Sequence, residues 1–205
     1  MIGFYNYTVI LTYIGMISGF VGILSVFNGN LKMALICLLV AGLCDMFDGK
    51  IASTMKRTKS EKRFGIQIDS LSDLICFGVL PALIIFSCSK GILPMFICAG
   101  YVLCALIRLA WFNVDEEQRQ DSENGSRENY LGLPVTSSAI LIPLFLGTLL
   151  TFHLVLDYSY WFLLLIALAF ITPFPLKKPH TLGKILLILI GIVTLVVVVM
   201  GCRFL

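Results

Sequence analysis

The chain has 205 residues, 59% of them apolar and only 13% charged, with a net charge of +3. Soluble domains are close to half apolar, so this composition excludes a water-soluble globular domain and places the chain in a bilayer. The small net charge gives no reason to expect a nucleic-acid partner. The seven cysteines, 37, 44, 76, 88, 98, 104 and 202, lie mostly in apolar stretches without a C-x-x-C pair, so they read as small buried hydrophobes rather than zinc ligands or disulfides.

Crossing about 30 Å of hydrocarbon takes roughly 20 apolar residues in a helix. Seven such windows follow one another, one of them short. The first, Tyr7 to Phe27, has no basic flank or small-residue cleavage site and is expected to be a retained helix. The second, Met33 to Ser53, carries Asp45 and Asp48. A basic run from Lys56 to Arg63 then reads as a cytoplasmic loop beside anionic lipid. The third window, Phe64 to Ser87, carries Asp69 and Asp73, and the fourth, Ile92 to Phe112, carries Arg108 near its end. The polar stretch Asn113 to Asn129 is expected to be a loop centred on Asn124-Gly125. Leu133 to Phe152, the short Tyr158 to Ile171 and Thr181 to Met200 complete the set. Trp and Tyr residues are expected as interface anchors, and His153 and His180 as structural or solvated groups. The expected fold is an all-α integral membrane protein, a polytopic transmembrane helix bundle forming one domain over residues 1–205.

The basic residues are sorted by side. With the N-terminus cytoplasmic, alternation puts Lys50, Lys56, Arg57, Lys59, Lys62, Arg63, Arg119, Arg127, Lys177, Lys178 and Lys184 on or near the cytoplasmic side, and only Lys32, Lys90 and Arg203 outside. Eleven against three favours N-terminus in and C-terminus out.

Acidic side chains at the centre of a membrane helix cost about 2.5 to 3.5 kcal/mol each on insertion scales, so four in two adjacent spans call for a function. At about 100° per residue, Asp45, Asp48, Gly49 and Ala52 share one stripe of the second span, and Gly65, Asp69, Ser72 and Asp73 share one stripe of the third. A short connection makes the two spans antiparallel neighbours, so the stripes can face each other across a polar cleft. Carboxylates that close repel unless cations neutralise them, and an all-oxygen donor set favours Mg²⁺, Mn²⁺ or Ca²⁺ over zinc. The small residues leave room for a planar or phosphate-bearing ligand; alternatively they serve close helix packing. A buried ion-pair network would need cations at depth, and only Lys50 and Arg108 are available. An ion pathway remains the rival use of such carboxylates.

Asp45-Met-Phe-Asp48-Gly49-Lys-Ile-Ala52 followed by Gly65-Ile-Gln-Ile-Asp69-Ser-Leu-Ser-Asp73 resembles the signature of CDP-alcohol phosphatidyltransferases, D-x-x-D-G-x-x-A-R, a spacer, then G-x-x-x-D-x-x-x-D. Seven of the eight fixed positions are present; the exception is Ser53, where the family has Arg. The spacer before Gly65 is also longer than the family's. The resemblance implies a six-helix catalytic core with at least one extra C-terminal span, and a metal site of two Mg²⁺ or Mn²⁺ ions at Asp45, Asp48, Asp69 and Asp73, with Asp69 bridging the ions and Asp73 acting as general base. It implies a nucleotide and diphosphate site at Gly49, Ala52, Ser53 and Gly65. There Lys56 and Arg57, on the same helical face if the second helix continues, are expected to replace the missing Arg, Arg57 foremost because its planar fork suits phosphate.

Within the family, Asp69 to Ala82, Arg108 to Asn113 and Gly132 to Thr136 look most like phosphatidylserine synthases of the integral-membrane type. That resemblance implies phosphatidyl transfer from CDP-diacylglycerol to L-serine with release of CMP, at the cytoplasmic face of the cell membrane, by a homodimer. Arg108 is the candidate for binding the serine carboxylate, with Asn113 and Thr136 as further acceptor-binding candidates. Another acceptor, glycerol 3-phosphate or an inositol phosphate, is the alternative within the family, and a divalent-cation carrier is the alternative outside it.

Overall fold

The structure, a computed structural model, describes residues 3–122, 129–177 and 181–202. Asn124, Gly125, Arg127, Lys178, His180 and Arg203 therefore lie outside the described residues. In chain order the elements are α1 (Ile10–Phe27), α2 (Leu31–Ala52), α3 (Lys59–Asp73), a π-helical segment (Leu74–Val79), α4 (Leu80–Cys88), α5 (Ile92–Ser122), β1 (Asn129–Leu131), α6 (Ser138–Thr151), α7 (Ser159–Ile171), β2 (Pro175–Lys177) and α8 (Thr181–Gly201). The two strands are three residues each and pair antiparallel, Tyr130 opposite Leu176. Everything else of substance is helix, and each of the seven apolar windows coincides with a helical segment.

Local chemistry sets the ends. Asn30 accepts the Met33 N–H at 3.0 Å and starts α2, while Gly29, at φ +71°, makes the tight return from α1. Thr58 and Glu61 form a reciprocal capping box, so α3 begins at Lys59 rather than at Phe64. The expected basic loop is thereby corrected: Lys59, Lys62 and Arg63 belong to a helix. A second correction concerns Asn113 to Ser122, expected as loop but found as the end of α5. The run Asp-Glu-Glu-Gln-Arg-Gln contains neither Gly nor Pro and is rich in good helix formers, so the helix continues past its apolar part.

The fold is apolar inside and out, as expected of a protein solvated by lipid. Leu35, Leu38, Leu80, Ile84, Ile142, Leu146 and Leu163 are fully buried at the core, while large apolar side chains such as Phe27 and Ile92, 74% and 75% exposed, cover the outside. Exposed apolar surface on this scale marks contact with a membrane. Among the described residues, the helical stretches Tyr7–Phe27, Lys59–Cys88 and Ile92–Glu117 are long and apolar enough to cross a membrane, and Val135–Thr151, Ser159–Ile171 and Leu186–Gly201 are shorter apolar helices. Tyr101 and Tyr160, expected at the interface with the other aromatics, are instead buried in the core; a buried phenol needs an acceptor, and Tyr101 has one in the Phe77 carbonyl at 2.7 Å.

The third span is not a single α-helix. Immediately after Asp73 the backbone widens into the π segment, and the Leu80 N–H reaches back five residues to the Ile75 carbonyl. The sequence supplies a cause in Pro81. In an α-helix the Phe77 carbonyl would accept from residue 81, and proline has no N–H to give while its ring crowds that same carbonyl.

Candidate active site

Glycines bring the aspartates together. On α1, a Cβ at Gly15 would lie 3.2 Å from the Cys44 Cβ of α2, and one at Gly19 would lie 2.5 Å from the Cys76 Sγ of the π segment. Helix α1 therefore touches both aspartate-bearing spans along a single Gly-x-x-x-Gly stripe, the spacing that lets membrane helices approach closely. Thr12 on the same face donates its hydroxyl to the Asp48 carboxylate at 3.1 Å.

The result is a small cleft lined by Thr12 and Gly15 of α1, Ala41, Cys44, Asp45 and Asp48 of α2, and Asp69, Ser72, Asp73, Cys76 and Phe77 of the third span. Oxygen atoms of Asp45, Asp48 and Asp69 lie within 4.8 Å of one another, a set that can hold a metal ion. Asp73 is buried in the same cleft but stands outside that set of three. No Lys or Arg is among the lining residues. Three carboxylates converging without a cationic side chain fit a hard divalent ion and leave an ion-pair network without its cations.

The remaining sequence candidates fall into two groups. Near the cleft, Gly49 has open space where a Cβ would be, Ala52 ends α2, and the Ser53 hydroxyl donates to the Lys50 carbonyl at 2.7 Å. Because α2 stops at Ala52, Lys56 and Arg57 do not continue its face as expected. Arg57 reaches the motif from the connecting loop instead: its Nη1 lies 3.1 Å from where a Gly65 Cβ would be. Its Nε is buried and makes no hydrogen bond in the structure. The loop is tied down from the N-terminal side, where Tyr7 and Thr54 share a hydrogen bond of 3.0 Å and Asn6 donates to Glu61 at 3.4 Å. Lys56 is exposed.

Arg108, Asn113 and Thr136 do not line the carboxylate cleft. Arg108 is buried, donates to the Gly132 carbonyl at 3.4 Å and stacks 5.8 Å over Trp111, so it does not snorkel to the surface. Asn113 accepts the Ser70 hydroxyl at 2.7 Å, and Thr136 sits half-buried in a short 3-10 turn before α6. The three flanking stretches nevertheless meet: Arg108 binds Gly132 and Asn113 binds Ser70 next to Asp69, and Ser138, just past the third stretch, reaches the Phe77 carbonyl at 3.1 Å. Sequence reading missed Thr12, Gly15 and Gly19, although Gly15-Met-Ile-Ser-Gly19 was visible as a small-residue motif.

Known proteins are similar to this chain in sequence. An archaetidylserine synthase from Methanothermobacter thermautotrophicus is 38% identical over 130 residues, covering 62% of this chain and 52% of that protein. A CDP-diacylglycerol–serine O-phosphatidyltransferase from Saccharomyces cerevisiae is 34% identical, covering 63% and 50%, and one from Mycobacterium leprae is 28% identical over 179 residues, covering 84% and 58%. The chain thus spans about half the length of the relatives it matches. The family model for CDP-alcohol phosphatidyltransferase matches residues 5–174, from before α1 to the end of α7 and including every lining residue of the carboxylate cleft. By that match the chain belongs to the CDP-alcohol phosphatidyltransferase family.

Proposed function

We propose that this chain, acting as one transmembrane domain, transfers the phosphatidyl group of CDP-diacylglycerol to L-serine, giving phosphatidylserine and CMP. The observation that carries the reading is the convergence of Asp45, Asp48 and Asp69 within 4.8 Å, with Asp73 in the same cleft, in a chain whose relatives are named as serine phosphatidyltransferases and an archaetidylserine synthase.

Asp45, Asp48 and Asp69 would hold Mg²⁺ or Mn²⁺. Two such ions, when bound, would neutralise the diphosphate and the charge that develops on the CMP leaving group. Thr12 fixes the Asp48 carboxylate, as outer partners of a metal ligand do. Asp73, one helical turn beyond Asp69, accepts the proton of the serine hydroxyl as that oxygen forms its bond to the phosphatidyl phosphorus and the bond from phosphorus to the CMP oxygen breaks. Arg57, whose buried Nε makes no hydrogen bond, reaches to the diphosphate over Gly65, whose missing side chain makes room for the guanidinium, and takes the part of the Arg that Ser53 replaces; Lys56 adds positive charge nearby, and Gly49 and Ala52 leave the nucleotide room. Arg108 offers its charge to the serine carboxylate, with Asn113 and Thr136 beside it as polar groups. The excess of basic residues at one side supports an N-terminus and active site facing the cytoplasm, and the family resemblance supports a homodimer.

The test is CMP release and lipid product from purified protein with CDP-diacylglycerol and Mg²⁺ or Mn²⁺, offering serine, glycerol 3-phosphate or an inositol phosphate separately. Serine-dependent phosphatidylserine, lost in Asp73→Asn, is the expected result. Turnover with another alcohol alone removes the serine assignment, and metal binding without turnover of any acceptor removes the enzyme.

A further inference from the structure

The Phe77 carbonyl lies four residues beyond Asp73, lines the same span, and receives hydroxyls from two other helices. Tyr101 of α5 donates to it at 2.7 Å, and Ser138 of α6 lies 3.1 Å from it, sharing its proton with the Val135 carbonyl at 2.9 Å. Both residues are fully buried. Pro81 cannot supply the N–H that an α-helix would bring to this carbonyl, so the two hydroxyls reach it where that donor is missing.

The wide turn decides where Asp73 points. Downstream of it, Leu80, Ile84 and Ile85 are locked in the core without exposed surface. Upstream of it stand Asp69 and Asp73. A π turn holds one residue more than an α turn, so reverting it to α geometry with the core end fixed would rotate the aspartate end by about 100°. The hydroxyls that stabilise the wide turn therefore also hold the carboxylate direction.

We infer that Tyr101 and Ser138 are positioning residues that hold the π turn through the Phe77 carbonyl and thereby aim Asp73 at the acceptor hydroxyl. The inference rests on the assignment of Asp73 as the base in phosphatidyl transfer. A positional error of about 1 Å at a reacting group can cost on the order of 100-fold in rate.

The experiment compares Tyr101→Phe, Ser138→Thr, Tyr101→Phe/Ser138→Ala and that double variant carrying Pro81→Ala, each as full-length protein, by thermal midpoint and by kcat and KM for CDP-diacylglycerol. Tyr101→Phe and the double variant are expected to lose kcat by roughly 10–100-fold with KM within about twofold, and Ser138→Thr, which keeps the hydroxyl, to turn over like wild type. Pro81→Ala supplies a backbone donor to the Phe77 carbonyl, so the triple variant regains thermal stability while its kcat stays low, because the turn is then α. Recovery of kcat together with the midpoint would reduce both residues to structural supports and overturn the inference, as would a wild-type rate in Tyr101→Phe. If the double variant does not fold, the single and triple variants decide in the same way. A wild-type protein that turns over no acceptor removes the assignment of function and the inference with it, whereas active wild type with active variants removes the inference alone.

Discussion

Helix α1 packs against α2 and the third span along its whole length, but the two ends of that contact are built from opposite materials. At one end a Cβ on Gly22 would meet Leu80 at 2.8 Å and Cys37 at 3.0 Å, and the neighbours Leu35, Leu38, Ile84 and Ile85 have no exposed surface. At the other end Gly15 meets Cys44, and beyond it Thr12, Asp45, Asp48, Asp69 and Asp73 face one another. The same glycine stripe sets the closeness at both ends, while the chemistry is set by what faces the stripe. Dispersion contacts gain energy at the apolar end. At the acidic end carboxyl groups are held together with no Lys or Arg in the lining, an arrangement that adds no such gain.

That division can be broken by substitutions aimed at one end or the other. The largest effect is expected from Asp69→Asn. Removing one of three converging carboxylates should weaken Mn²⁺ binding by more than roughly 100-fold, beyond the 10–100-fold typical of outer-shell losses, with the thermal midpoint of metal-free protein unchanged or raised as repulsion is relieved. Titration followed by Mn²⁺ magnetic resonance reads this directly. Leu38→Ala should do the reverse, lowering stability by about 2 kcal/mol or more while leaving metal affinity in the folded protein intact; a matching loss of metal affinity would show that the ends are not separable.

Gly19→Val sharpens the comparison from the middle. Its Cβ would sit 2.5 Å from the Cys76 Sγ, so α1 must move away, at about 1–3 kcal/mol of stability. Because Gly19 lies between the two ends, metal affinity and thermal midpoint should fall together. Thr12→Val, the mildest change, keeps the shape and removes the hydroxyl on Asp48. A loss of about tenfold in metal affinity is expected, with Thr12→Ser retaining it. An unchanged affinity in Thr12→Val would mean that packing alone fixes Asp48.

The sequence by itself determined the helix bundle and the carboxylates that gather in its cleft. Uninterrupted apolar windows have few physical solutions other than membrane helices, and four aspartates at helical spacing are too costly in lipid to be incidental. Asp45, Asp48 and Asp69 do converge. Helix ends were less legible: the polar run after Phe112 carried no apolar pattern to mark it as the continuation of α5, and the boundary at Lys59 hung on one capping pair, Thr58 and Glu61.

Tertiary structure alone decided three things. It chose α1 as the helix that joins the two aspartate pairs, because glycines announce only that something comes close, not which helix it is. It brought Arg57 to Gly65 from a loop after α2 had ended, a contact that helical periodicity cannot express. And it turned the third span into an α–π–α helix: Pro81 withholds the α-helical N–H from the Phe77 carbonyl, but the hydroxyls that reach that carbonyl, on Tyr101 and Ser138, stand 24 and 61 residues away. Local sequence can signal that a backbone group has lost its partner, and only packing can say which distant side chain replaces it.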